Sequence, residues 1–253
     1  MLPVLQLGPF AIQTYPLALV LAGWVALAIG ARAARAMGVD GDHVYNAGLY
    51  GLAGGVLAAR LAHVIAFWPA YRSQPLEIVG LNTTAFLVRP GVIAGLAVAG
   101  WYLYRRRLPL VILLDAFAPG LLVGLAIANI GALLAGRNPG APTDLPWAVV
   151  LWGVRRHPVQ VYEALGLLAV ALFVLSVIRA GGRSGFPALI ALLGWGLVEW
   201  LVEAFRAAEV TSTLPGGLRL GQVLGLAVAL VALIGLRHLA TRDQDQPPPY
   251  SAS

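Results

Sequence analysis

Long apolar runs, broken by short polar interruptions, fill most of this chain. Pro16–Gly30 is an uninterrupted apolar run closed by Arg32 and Arg35. A turn, Gly38-Val39-Asp40-Gly41-Asp42, precedes a second run of about Ala47–Trp68, which is rich in small residues and carries Arg60 inside it. A polar loop of about Pro69–Thr84 leads to a third run, Ala85–Tyr104, with Arg89 and Pro90 near its start and Arg105-Arg106-Arg107 at its end. Asp115 opens a fourth run to about Ala135, and a Pro/Gly-rich loop covers Gly136–Pro158. Three more runs follow, about Val159–Ile178, Phe186–Phe205 and Leu220–Leu239. At a rise of about 1.5 Å per residue, runs of this length cross roughly 30 Å of hydrocarbon as helices. The pattern predicts an all-α polytopic membrane protein of about seven transmembrane helices. Residues 1–242 form the membrane domain and 243–253 a disordered polar tail.

Composition narrows this further. Of 253 residues, 59% are hydrophobic and 11% charged, and the mean hydropathy is +0.81. A soluble domain of this length does not carry so much apolar surface. All 17 basic residues are Arg. The net charge of +6 reads as loop arginines meeting anionic lipid headgroups, and no nucleic-acid partner is expected. Cysteine is absent, which excludes disulfides and thiol nucleophiles within the chain. Four scattered histidines give no metal-ligand spacing, so no metal is expected. The first run has its positive charge on the wrong side for a cleaved signal peptide and is expected to be retained.

The remaining polar residues are the informative ones. Arg155-Arg156-His157-Pro158-Val159-Gln160-Val161-Tyr162-Glu163 is the densest polar cluster in the chain, and its Pro followed by an apolar run is a helix start. Gln160 and Glu163 are three apart and share a face. Such a cluster is either an interfacial anchor or a functional site, and an ionisable group at a membrane entry favours the second. In the sixth run Trp195, Glu199, Glu203 and Arg206 fall on one helical face. These charges either face a polar cavity or form an ion network that holds the bundle, and their cost in hydrocarbon favours the cavity. With the N-terminus outside, Arg32, Arg35, Arg105, Arg106, Arg107, Arg179, Arg183, Arg237 and Arg242 fall inside, against Arg72, Arg89, Arg137, Arg155, Arg156, Arg206 and Arg219 outside. The bias agrees with the positive-inside rule, with the C-terminus cytoplasmic.

These residues resemble the prolipoprotein diacylglyceryl transferase family of seven-span bacterial inner-membrane enzymes, from about Gly8 to about Ala240. Arg156-His157-Pro158-Val159-Gln160-Val161-Tyr162-Glu163 is similar to the family's Arg-His-Pro-Ser-Gln-Leu-Tyr-Glu. Leu220-Gly221-Gln222 resembles its Met-Gly-Gln. Pro142-Thr143-Asp144-Leu145-Pro146-Trp147 resembles a family loop, and Gly8-Pro9 with Tyr15 resembles the family's start. Arg60 and Asp115 match its second-span Arg and fourth-span Asp. The chain also departs from the pattern. Arg89-Pro90-Gly91 stands for the family's His-Gly-Gly, Asn129 and Ala132 for the Arg and Asn of Gly-Arg-x-Gly-Asn-Phe, and Arg137 for the Glu beyond it. In the sixth run Glu199 takes the place of an Arg and Trp195 that of a Tyr, while Glu203 and Arg206 are kept.

The resemblance implies transfer of the diacylglyceryl group of phosphatidylglycerol to the lipobox cysteine thiol of a preprolipoprotein, without metal or soluble cofactor. It implies Glu163 and Glu203 as catalytic residues. Arg60, Arg89, Asn129, Arg137, Arg156, His157, Gln160, Tyr162 and Arg206 would bind substrate. The implied partners are an anionic phospholipid (phosphatidylglycerol), the preprolipoprotein signal peptide and the bacterial cytoplasmic membrane. The replaced positions leave a second reading open, a non-catalytic paralogue that binds anionic phospholipid or lipoprotein without transfer.

Overall fold

A computed structural model describes residues 3–7, 10–79, 86–208, 212–214 and 216–244. Gly8-Pro9, the expected start of the third span at Ala85 and the tail 245–253 lie outside the described residues. The described chain opens with a hairpin, β1 (Val4–Leu7) antiparallel to β2 (Phe10–Gln13). The helices are α1 (Thr14–Ala36), α2 (Gly41–Ala66), the short α3 (Trp68–Tyr71), α4 (Val88–Arg105), α5 (Leu110–Leu134), α6 (Val159–Arg179), α7 (Phe186–Glu203) and α8 (Leu220–Gln244). A second hairpin, β3 (Val149–Leu151) with β4 (Val154–Arg156), interrupts the loop before α6. The sequence pattern missed this hairpin because its strands are only three residues long.

Six of these helices, α1, α2, α5, α6, α7 and α8, are long and apolar enough to cross a membrane. The seventh long helix, α4, has 18 residues and carries Arg89 and Arg105 near its two ends. Side chains such as Val20, Leu57, Ile93, Leu172 and Ile234 stand exposed on the outer faces of the bundle, as lipid contact requires. The chain is a multi-pass helical membrane protein.

Helices consecutive in the bundle run antiparallel, whereas α5 and α7 run in the same direction, start beside start. α4 lies against α2, α2 against α1, α1 against α5, α5 against α6 and α7, and α7 against α6 and α8. Small residues bring the backbones together, as lipid-embedded helices favour. A Cβ on Gly55 of α2 would stand 2.9 Å from the Gly91 carbonyl oxygen of α4, and one on Gly95 2.7 Å from that of Gly51. Gly196 of α7 and Gly225 of α8 form the same kind of seam. The apolar core has two parts. Ala118, Leu122, Leu167 and Val174 belong to the one between α5, α6 and α7. Val44, Tyr102, Leu103 and Leu113 belong to the one between α2, α4 and α5.

Asp115 requires a correction. It does not open its span: α5 begins at Leu110, so Asp115 is more than a turn inside the helix and fully buried. Its carboxylate accepts from the Gly185 N–H at 2.6 Å and the Ala188 N–H at 2.9 Å. Those are amides at the start of α7, where a helix has no intrahelical acceptors to offer. Gly185, at φ +88°, turns the chain into that start, and the negative charge complements the helix dipole. Charge from one span thus caps another.

Candidate functional site

The starts of α6 and α8 and the ends of α5 and α7 share one end of the bundle with both hairpins, here called the hairpin end. The polar motif folds there as its Pro suggests. Pro158 precedes the first turn of α6, and its carbonyl accepts from the Val161 N–H at 2.9 Å and the Tyr162 N–H at 3.1 Å. The segment after α5 is woven between the start of α6 and the end of α7. Ala141 N–H donates to the Phe205 carbonyl at 2.8 Å, and Ala207 N–H to that of Pro139 at 3.0 Å. On the other side His157 N–H donates to the Ala141 carbonyl at 3.0 Å, and Thr143 N–H to that of Arg155 at 3.0 Å. This weave fixes the motif and Arg206 against each other.

Arg206 is the centre of the site. Its Nη2 lies 3.0 Å from Glu163 Oε2 and 3.6 Å from Glu199 Oε1, and its Nε lies 2.7 Å from Glu203 Oε2. The Nε contact is close but not aligned as a hydrogen bond. Side-chain exposures are 12% for Arg206, 11% for Glu163, 6% for Glu203 and 21% for Glu199, so Glu199 is the most open of the acids. Three carboxylates converge on one guanidinium in a sparsely hydrated place, where charge interactions are stronger than in water. A second guanidinium, that of Arg219, donates to the carbonyls of Glu203 and of Arg206, the latter at 2.7 Å.

The other residues of the motif hold the surrounding backbone. Gln160, 1% exposed, donates from Nε2 to the carbonyls of Arg137 at 2.5 Å and Asn138 at 3.0 Å. Since both partners are acceptors, the amide orientation is fixed, and its buried Oε1 has no protein partner. Arg156 donates from Nη1 to the Gly140 carbonyl at 3.0 Å, and its buried Nε has no hydrogen-bond partner. Tyr162 accepts from Trp147 Nε1 at 2.7 Å and lies 3.4 Å from His157 Nδ1. Leu145, Trp147, His157, Tyr162, Leu201, Val202 and Phe205 line a cleft of about 520 Å³, one residue along from Glu163, Glu203 and Arg206.

Glu163, Glu203 and Arg206 therefore meet directly, and Gln160, Arg156, His157 and Tyr162 surround them. Four other expected residues are placed elsewhere. Arg60 lies on the α2–α4 side, where it donates to the carbonyls of Glu77 and Ile78 and stacks near the rings of Tyr71 and Phe86. Arg89 is exposed at the start of α4. Asn129 donates to the Leu125 carbonyl of its own helix at 3.1 Å. Arg137 is exposed, with its guanidinium 4.4 Å from the ring centre of Tyr15. Arg219 looked like one more loop arginine; its place just before Leu220-Gly221-Gln222 was the available signal. Among the described residues no group of three metal-ligating side chains is present.

The model of the family described as prolipoprotein diacylglyceryl transferase matches residues 3–237. Three similar proteins carry the name phosphatidylglycerol–prolipoprotein diacylglyceryl transferase. The one from Bordetella avium is 32% identical over 255 residues, with 96% of each chain covered. The one from Bordetella parapertussis is 32% identical over 240 residues, covering 89% of this chain and 90% of that protein. The one from Synechococcus elongatus is 27% identical over 249 residues, covering 92% of this chain and 85% of that protein. With matches running nearly end to end, the chain belongs to the prolipoprotein diacylglyceryl transferase family.

Proposed function

We propose that this protein transfers the diacylglyceryl group of phosphatidylglycerol to the lipobox cysteine of a preprolipoprotein in a bacterial cytoplasmic membrane, with the hairpin end outside and the C-terminus in the cytoplasm. The reaction forms a sulfur–carbon bond at the glycerol carbon that carries the phosphoester oxygen. The carbon–oxygen bond breaks, glycerol phosphate leaves with the electron pair, and the thiol proton passes to a base. A carboxylate of the Glu163–Glu203 pair takes that proton, and Arg206 holds the pair in place. The phosphate is bound by guanidinium groups at the hairpin end, where charge-assisted bonds are strongest when water is scarce. Arg137 and Arg89 are exposed there, and Arg156 stands beside the cluster with its Nη1 on the Gly140 carbonyl.

The observation that carries this reading is the convergence of Glu163, Glu203 and Arg206 beside an apolar cleft, in a chain of this family. A base, a fixed charge and a wall for alkyl chains are what thiol alkylation at a membrane surface needs. One observation favours the second reading, binding without transfer. Arg206 already faces three carboxylates, and Glu199 brings negative charge next to where a phosphate must come.

The test is incubation of the purified full chain with phosphatidylglycerol and a lipobox peptide, read as the diacylglyceryl mass gain on cysteine. Gain by the wild type and none by Glu163→Gln supports transfer. No gain, with native mass spectrometry showing phosphatidylglycerol bound in preference to phosphatidylcholine, selects the second reading. Glu199→Arg is expected to tighten phosphatidylglycerol binding in either case, and Arg156→Ala to weaken it. Equal affinity for the two lipids in all variants sinks both readings.

A further inference from the structure

The entry to α8 builds one wall of the acid–guanidinium cluster. Arg219 precedes α8, half-buried, with its backbone N–H 3.4 Å from Gln222 Oε1. A bridge to Thr213 and the bond from Leu220 N–H to the Ser212 carbonyl, 2.8 Å, fold this stretch back on itself. The Arg219 guanidinium therefore reaches α7 from a fixed base. It donates to the carbonyls of Glu203, the last residue of α7, and of Arg206, three residues on. Two residues past Arg219, a Cβ at Gly221 would stand 2.7 Å from the Glu203 carboxyl carbon. The missing side chain at Gly221 is the space that the Glu203 carboxylate occupies.

We infer that Arg219 is a positioning residue for this site: by holding the Glu203 and Arg206 carbonyls in one grip it sets the spacing between the Glu203 carboxylate and the Arg206 guanidinium. The physical case has three parts. The last carbonyls of a helix are short of donors: that of Glu203 accepts from the Arg206 N–H at 3.2 Å, and the Arg219 cation adds a second, charged donor to it, satisfies the Arg206 carbonyl and complements the dipole. The same grip ends α7 where the chain must turn for Arg206 to come back over Glu203, an i, i+3 pair that a continuing helix would hold at a different angle. Arg219 also brings a second positive charge to a cluster that has three acids for one guanidinium, without itself pairing with a carboxylate. Its donors stay on backbone oxygens, so the carboxylates remain turned towards Arg206. A lysine has one ammonium for two carbonyls and fills the role in part; a methionine keeps the bulk and loses the grip.

This inference rests on the proposed transfer reaction for its consequence but not for its geometry, so the experiment has two arms. In the first, hydrogen–deuterium exchange of the full-length wild type, Arg219→Lys and Arg219→Met is compared along the chain. Arg219→Met is expected to raise exchange at least tenfold at the amides of 205–207 and leave 186–198 of α7 unchanged, with Arg219→Lys in between. In the second, transfer from phosphatidylglycerol to a lipobox peptide is measured. Arg219→Met is expected to lower kcat about tenfold with KM for the lipid within twofold, and Arg219→Lys to recover part of kcat. A wild type without transfer removes the proposed reaction and leaves the first arm to decide. Unchanged exchange at 205–207 in Arg219→Met overturns the inference. So does a uniform loss of protection along the bundle that Arg219→Lys fails to lessen, because Arg219 would then support the fold at large.

Discussion

Two helix pairs in this bundle are assembled in the same way and end differently. α2 and α4 meet through Gly51, Gly55, Gly91 and Gly95, and α7 and α8 through Gly196 and Gly225. Backbone approach of this kind gives dispersion contact and little direction. At the hairpin end of α7–α8 the seam gives way to Glu203, Gly221, Arg219 and Arg206, locked together by charge. At the hairpin end of α2–α4, Arg60 closes onto the carbonyls of its own connecting loop, and Arg89 faces out. Glycine seams make a pair of helices close, and ionic contacts make their relative position specific. The α7–α8 pair has both, and it is the one that carries the clustered acids.

The difference can be broken most sharply at Arg206. Arg206→Met leaves Glu163, Glu199 and Glu203 facing one another without their guanidinium. Removing one member of a buried charge group costs about 3–5 kcal/mol. We expect a large drop in thermal stability together with loss of any transfer, measured by unfolding in detergent and by peptide mass gain. In the other pair, Gly55→Leu puts a side chain where a Cβ already stands 2.9 Å from a carbonyl oxygen. Overpacking costs about 1–3 kcal/mol. The melting temperature should fall while the affinity of the protein for phosphatidylglycerol stays within about twofold. If that affinity fell as steeply as it does for Arg206→Met, the two pairs would not be functionally separate.

A smaller effect is expected at the far end of α7. Asp115→Asn keeps one acceptor for two amides and loses the charge, at about 1–2 kcal/mol for a lost cap. It should shift the unfolding midpoint without affecting hydrogen exchange at 205–207. The smallest is Glu199→Gln. Glu199 is the most open acid and stands furthest from Arg206, at 3.6 Å, so stability should change by less than about 1 kcal/mol. Binding of phosphatidylglycerol should still rise, because one negative charge leaves the approach. A fall in that binding would show that Glu199 takes part in holding the lipid.

Much of this was legible in the chain. Seven apolar runs gave seven long helices, and the cluster from Arg155 to Glu163 stood out because polar groups are rare in so apolar a sequence. The shared face of Glu199, Glu203 and Arg206 followed from helical spacing. What could not be read has a common cause: the partner is either backbone or distant. Arg60, Gln160 and Arg219 all end on carbonyl oxygens, which every residue possesses and no motif marks. Asp115 ends on amides about 70 residues away, so its five-residue displacement into α5 had no local sign. An arginine that orients the chain in a membrane and one that grips a helix end look the same in sequence.

The β3–β4 hairpin gives a practical opening. Its tip, Trp152-Gly153, has positive φ at both residues, and Trp152 is 73% exposed. Its base is stitched into the weave that holds the motif, but the tip itself carries little beyond the Trp152 indole contact with the Gly136 carbonyl. Exposed turns of this kind accept inserted sequence. An epitope or a small reporter placed between these two residues would mark the hairpin end of an intact molecule. In a chain with no cysteine of its own, a single introduced thiol there would be a unique handle for labelling the protein.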